Sequence, residues 1–202
     1  MYRERPKPIQ DSGYQQLMNT LSEFSYIPEE ERTNFKKRLH VTEIPKNSHF
    51  ITIDDIPSTI AFIVEGLFRV YFISDSGKEN CLVFRGKGRF LSAYSSFLES
   101  RASQYSFQAL EDSILLYITI EDYKELLAGN DCWQCVVSKY SQMLFIEKEK
   151  REREFLSADA KTRYRIFMNT YPTLSGRISQ YHIASYLGIT PEALSRIRSQ
   201  IH

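Results

Sequence analysis

The chain has 202 residues, 42% of them hydrophobic, which is enough to bury a substantial core in one large or two smaller domains and is unlike a disordered or fibrous composition. No apolar stretch approaches a membrane span and the N-terminal residues lack a signal-peptide core, so a cytoplasmic protein without a membrane partner is expected. The formal net charge of +1 conceals an asymmetry: residues 1–146 carry 16 Lys/Arg against 19 Asp/Glu, whereas residues 155–202 carry 6 against 2, so an anionic partner is expected at the C-terminal end.

Residues 1–12, with three cations among prolines, read as a loose arm. From Gly13, Tyr14, Leu17, Met18, Leu21 and Phe24 recur at helical spacing, and a second helix follows Pro28 and the acidic run Glu29–Glu31, with Phe35 and Leu39 as its core contacts. Between residues 40 and 117 the pattern changes. Short β-prone runs at 41–44, 49–53, 61–73, 80–84, 106–109 and 113–118 alternate with connectors such as KNS, DDIPS and SDSGKE, which favours an antiparallel barrel or sandwich. Residues 90–98, FLSAYSSFL, interrupt it with one or two helical turns. They follow Gly86, Gly88 and Arg89 and are the place where a small polar ligand would be held; the alternative is that Phe84, Phe90, Tyr94, Phe97, Tyr105 and Phe107 fill the space with rings.

Thr119 is a candidate cap for a short helix ending at Gly129 and Asn130. From Asp131 a helix of about seven turns carries Trp133, Val136, Val137, Tyr140, Leu144 and Phe145 on one broad stripe and then the charge run EKEKRERE. The stripe and the paired charges read as a dimer spine with Trp133, Val136, Val137, Tyr140 and Leu144 at the interface. Cys132 and Cys135, in CWQC, share one face of this helix as small hydrophobes; with Cys81 they make an odd count of three, which argues against a disulfide framework, and no second ligand pair points to a metal. Phe155–Leu156 reads as a hinge, Ser157 as the cap of a helix over 158–170, and Arg163 and Arg165 as phosphate contacts.

Residues 178–201 carry the firmest signal. Ser179 caps a helix with Ile183, Ala184 and Leu187 inward; Gly188 ends it; Thr190 caps a second helix with Pro191 at its first position and Leu194, Ile197 and Ile201 inward. The opposite face shows Glu192, Ser195, Arg196 and Ser199, with Arg198 at the flank. Compact polar side chains and arginines on a short helix suit a major groove, where guanine offers two acceptors to an arginine and cytosine a donor to a carboxylate. The expected DNA-binding residues are Ser179, His182, Thr190, Glu192, Ser195, Arg196, Arg198 and Ser199.

The order of strand-rich barrel, long helix and paired short helices resembles the family of cyclic-AMP receptor protein and fumarate–nitrate reductase (Crp/Fnr) regulators. Glu65–Gly66, the hairpin at 75–79, Gly88–Phe90 and the final helix pair carry the resemblance. It implies an α+β fold: an N-terminal antiparallel double-stranded β-helix or jelly roll, cyclic-nucleotide-binding-like, with flanking helices over 1–129, a long linker and dimerisation helix over 130–156, and a helix-turn-helix domain over 157–202. The short span from Tyr171 to Ile178 and the stop at His202 lead us to expect a reduced wing. Where the family's nucleotide-binding members resemble a glycine–glutamate pair followed by an arginine and a small hydroxyl residue, this chain has Ser92 and Ala93, then Ser103 and Gln104. Both charges are absent, and Arg101 lies two residues away. The expected effector pocket is Phe84, Arg89, Phe90, Ser92, Ala93, Tyr94, Arg101, Ser103 and Gln104, and cyclic AMP is not its expected ligand. Neither the iron–sulfur nor the haem arrangement of the family is matched. No catalytic residue, metal site or cofactor is expected, since His40, His49 and Glu43 lack the compact spacing of a barrel metal site.

The resemblance implies a homodimeric, sequence-specific regulator of transcription that binds a pseudo-palindromic duplex, with an unknown small-molecule effector and RNA polymerase as further partners. The competing reading is a ligand-sensing or adaptor protein that acts through its barrel and protein contacts without binding DNA.

Overall fold

The computed structural model describes the backbone of residues 7–201 and the side chains of residues 11–201. The first half of the expected N-terminal arm lies outside the described residues; its second half is already helical, in α1 (Lys7–Ser22). The chain forms two compact units, one of residues 1–70 with Phe84–Gln142 and one of Tyr71–Val83 with residues 143–202. The division cuts across the three segments expected from sequence, because a hairpin tip from the middle of the chain belongs to the C-terminal unit.

Two four-stranded sheets form the jelly roll. One is ordered β1 (His40–Ile44), β8 (Ser113–Thr119), β3 (Thr59–Glu65), β6 (Phe90–Leu91), and the other β2 (His49–Ile51), β7 (Ser106–Ala109), β4 (Leu67–Ile73), β5 (Glu79–Gly86). In the first sheet β8 is antiparallel to both neighbours, with Thr42 opposite Leu115 and Ala61 opposite Tyr117. Strand period two then sorts the side chains. Phe62 and Val64 with Ile114, Leu116 and Ile118 cover one face and pack on Tyr14, Leu17, Met18 and Leu21 of α1, Phe35 of α2 (Glu29–Arg38), Tyr123 and Leu126 of α4 (Ile120–Gly129), and Trp133 and Val136 of α5 (Asp131–Ser157). Ala61, Ile63 and Leu115 are buried on the other face.

Residues 61–73, a single run of β-prone sequence, fold as two strands broken at Gly66. That glycine has φ +120°, and a Cβ there would collide with the Ser113 side chain and sit 2.9 Å from the Ser113 Cα. Only glycine tolerates both the backbone angle and the contact.

Helix α4 starts with a reciprocal cap. Asp122 N–H donates to Thr119 Oγ1 (3.1 Å), whose hydroxyl donates to the Asp122 carboxylate (2.9 Å), and Arg38 at the end of α2 donates to Asp122 (2.9 Å) and Glu125 (2.6 Å). Burial, the largest influence, opposes ionisation of Asp122, but Thr119 and Arg38 outweigh it together and hold the carboxyl below its ordinary range. A lowered folded-state pKa means stability that is present above the ordinary aspartate value and lost as pH falls through the folded one. Asp122→Asn is therefore expected to lower unfolding free energy at pH 7 by about 1 kcal/mol, and urea melts should show that gap closing below about pH 4; a gap independent of pH would remove the carboxylate from the role.

Two expectations about the spine are corrected. Helix α5 runs unbroken through Phe155 and Leu156 to Ser157, so the break falls at Ala158–Asp159. The cap of α6 (Ala160–Thr170) is Asp159, which accepts from Thr162 N–H at 2.7 Å, not Ser157. Ser157 instead donates back to the Arg153 carbonyl at 2.7 Å, which continues α5.

Candidate nucleic-acid interface and effector segment

In the C-terminal unit, α7 (Gln180–Leu187) and α8 (Pro191–Ser199) form as their local chemistry requires. Ser179 accepts from His182 N–H and Thr190 from Ala193 N–H, Pro191 occupies the first turn, and Gly188 takes the left-handed conformation at φ +67° that ends α7. Ile183, Ala184, Leu187 and Leu194 are buried, and Ile189 N–H donates to the Ala184 carbonyl at 3.0 Å, so the two helices move as one body.

Glu192, Ser195, Arg196 and Ser199 are all exposed on α8, and Arg198 is half-buried. The Glu192 carboxyl is held below its ordinary range first by a backbone N–H at the helix start, then by Thr190 and by the charge of Arg196. An ionised acceptor thus stands one turn before an exposed guanidinium. Not every expected reader is available. The hydroxyls of Ser179 and Thr190 cap helices, and that of Ser199 donates to the Arg196 carbonyl (2.9 Å). His182 is half-buried beside the exposed Tyr181, ring centroids 5.5 Å apart. Arg165 is exposed, but Arg163 is spent internally: its guanidinium donates to the carbonyls of Leu187 (3.1 Å) and Ala158 (2.7 Å).

Two features of this unit have no signal in the local sequence. Arg151 of α5 donates to the Tyr186 carbonyl (2.5 Å) and lies 3.6 Å from the centroid of its ring, so Arg151 and Arg163 together satisfy carbonyls at the C-terminal end of α7, where cations are favoured. Ser185 bonds to the hairpin between β4 and β5, accepting from Cys81 N–H (2.9 Å) and donating to the Glu79 carbonyl (3.1 Å).

The expected effector segment lies in the other unit, in β6 and α3 (Tyr94–Glu99). Its rings face the protein's own core. Phe90 packs on Phe62 and Tyr140 at 5.1 and 5.0 Å, Phe97 on Tyr123 at 5.3 Å, and the Tyr94 and Tyr123 hydroxyls are 2.9 Å apart. Burial, foremost, with the Tyr94 hydrogen bond, pushes the Tyr123 phenol far above its usual range. Phe84, Ala93 and Ser103 are buried, the last bonded to Tyr105 through both hydroxyl and lone pair. The Ser92 hydroxyl is buried and makes no hydrogen bond among the described residues. Arg89, Gln104 and Arg101 are exposed, and Arg101 is ion-paired with Glu99. A cavity of about 380 Å³ occurs elsewhere in this unit, lined by Thr42, His49, Asp55, Ser58, Thr59 and Tyr117 among others, and was not anticipated.

The stripe assigned to a dimer face divides. Trp133 and Val136 are 4% exposed and lie in the core of the first unit, Trp133 stacked near Phe35 and donating to Glu31. Tyr140 packs on Phe24 and Phe90, and Val137 and Leu144 are half-buried. The outward apolar residues of α5 are Phe145, Ile146, Phe155 and Leu156, at 68, 63, 46 and 79% exposure.

Residues 41–130 match the family model of the cyclic nucleotide-binding domain. Over most of its length the chain shares its fold with several solved regulator structures. It is similar to the c-di-GMP-responsive global regulator CLP of Xanthomonas campestris (16% identity, 84% of this chain and 89% of that one, TM-score 0.68). It is similar also to FixK2 of Bradyrhizobium japonicum (19%, 81% and 84%, 0.68) and to a Crp/Fnr-family protein of Eubacterium rectale (17%, 85% and 82%, 0.68). No curated protein sequence matches the chain. Among the described residues, no helix is long and apolar enough to cross a membrane.

Proposed function

We propose that the chain is a homodimeric, sequence-specific DNA-binding regulator of transcription, working in the cytoplasm, whose α7 and α8 act as a helix-turn-helix. The observation that carries this reading is the division of α8 into a buried side, with Leu194 fully inaccessible, and an exposed side of Glu192, Ser195 and Arg196. A fork of N–H donors on a short, rigidly capped helix is the geometry that reads guanine O6 and N7, and Glu192 accepts from cytosine N4 or orients Arg196. Phosphate contact falls to Arg165 and the flanking Arg198. Dimerisation uses the outward apolar residues of α5, Phe145 and Ile146, with Val137 and Leu144 at their margin, rather than Trp133 and Val136. RNA polymerase would be approached from the DNA-bound dimer.

The segment from Phe90 to Gln104 does not hold cyclic AMP in this reading. A cyclic phosphate brought among Phe84, Phe90 and Ala93 would lose its hydration without gaining a cation, which is costly. The regulator then works without the nucleotide, or answers an effector of different chemistry. Selection of random duplexes by the full chain, with and without added cyclic AMP, tests the proposal. The expected result is one two-fold motif, unchanged by the nucleotide. A folded chain that enriches no duplex would return the reading to a barrel-based adaptor, and a motif that emerges only with cyclic AMP would overturn the account of the effector segment.

A further inference from the structure

Strand β5 is the last strand of its sheet, so one of its edges has no strand partner, and backbone groups left there need another acceptor or donor. At Glu79 and Cys81 that need is met by one side chain. Glu79 and Cys81 are two residues apart and therefore aim their carbonyl and N–H to the same side of the strand. The Ser185 hydroxyl accepts from the Cys81 N–H at 2.9 Å and donates to the Glu79 carbonyl at 3.1 Å, as a neighbouring strand would with its own N–H and C=O. Cys81 is 6% exposed, so the joint is shielded from competing water. Ser185 stands on α7 between Ala184, Tyr186 and Leu187, which are buried, while Arg151 and Arg163 hold the next two carbonyls, those of Tyr186 and Leu187. The end of α7 is thus gripped at three consecutive residues, from the hairpin, from α5 and from α6, and α8 is tied to it through the shared core.

We propose that the β4–β5 hairpin is a positioning arm for the reading helix and that Ser185 is the positioning residue through which it acts. The inference rests on the DNA-reading proposal above and adds to it the part of the chain that sets the angle of α7. The contact leaves the exposed face of α8 uncovered, so it holds the pair in a reading orientation rather than masking it.

The test uses the full chain and its selected duplex. In Ser185→Ala, amide exchange at Cys81 measured by NMR is expected to rise about tenfold, the worth of a hydrogen bond of this kind. Affinity for the selected duplex is expected to fall about tenfold for the two bonds lost, with binding to unrelated duplex unchanged; Ser185→Thr, which keeps the hydroxyl, restores both. Faster exchange at Cys81 with undiminished duplex affinity means that Ser185 only satisfies the sheet edge and overturns the positioning role. Unchanged exchange overturns the joint itself. If the wild-type chain selects no duplex, the DNA-reading proposal fails and this one with it, which is distinct from a wild-type chain that reads DNA and a Ser185→Ala chain that reads it equally well.

Discussion

Arg196→Ala is expected to reduce affinity for the selected duplex by about 10- to 100-fold for each copy of the helix, since a bidentate arginine–guanine pair is worth roughly 1–3 kcal/mol. A two-fold site presents two copies, so the loss approaches the whole margin between specific and non-specific binding. Binding to unrelated duplex should change much less, because it depends on the count of phosphate contacts. The same substitution should leave the melting temperature nearly unmoved. Arg196 is exposed and alanine is a better helix former; its carbonyl, which takes the Ser199 hydroxyl, is retained. Gel-shift titration beside a thermal melt checks both halves. Undiminished specific affinity would take Arg196 out of the reading face, and a collapse of the melt would make the loss of binding a folding effect.

Gly66→Ala is expected to cost about 3 kcal/mol of unfolding free energy or more, among the largest effects of any single methyl group in this chain. The backbone at φ +120° is nearly closed to side chains, and the added Cβ would meet backbone, the Ser113 Cα at 2.9 Å, as well as the Ser113 side chain. Ser113 cannot yield easily: it is 3% exposed and its hydroxyl donates to the Glu111 carbonyl. Gly77→Ala supplies the comparison. Gly77 also has positive φ, +77°, but a Cβ there meets nothing within 4 Å, so only the backbone term applies, about 1 kcal/mol. Urea melts of the two variants separate the terms. Equal losses would show that the β3–β4 turn absorbs the collision.

Much of the C-terminal unit was readable because its signals are local. Thr190 and Ser179 cap, Gly188 turns and Pro191 starts a helix for reasons contained within four residues, and helical period then exposes Glu192, Ser195 and Arg196 opposite Leu194. The barrel was readable for a similar reason: short β-prone runs between turn-rich connectors marked it, and Thr119 capped α4 as expected. The aromatic filling of the effector segment was one of two open readings. Composition listed the rings, but only the packing of Phe90 on Tyr140 and of Phe97 on Tyr123 shows them turned toward the helical core.

Failures occurred where a local pattern has two outcomes of similar merit. Ser157 and Asp159 are both good caps; Ser157 lost because its hydroxyl bonded back into α5 and Asp159 took the Thr162 N–H. Arg163 and Arg165 are equivalent in composition, yet Nε and Nη1 of Arg163 donate to the carbonyls of Leu187 and Ala158, while Arg165 stays exposed. An apolar stripe on a long helix announces that it will be covered, not by what. Trp133 is covered by Phe35 and Glu31, the latter 102 residues away, so the stripe that promised a second copy serves the chain's own core at that end.

By itself the sequence determined that short strands precede a long helix, that α7 and α8 are capped as a pair, and which polar side chains α8 exposes. These follow from backbone angles, caps and periodicity, which act within a few residues. Tertiary structure alone decided which apolar residues of α5 are left outward, which arginines remain exposed, and that Ser185 bonds to the edge of β5. Those outcomes depend on groups 24 to 106 residues apart meeting at hydrogen-bond distance, and no local pattern encodes which partner arrives.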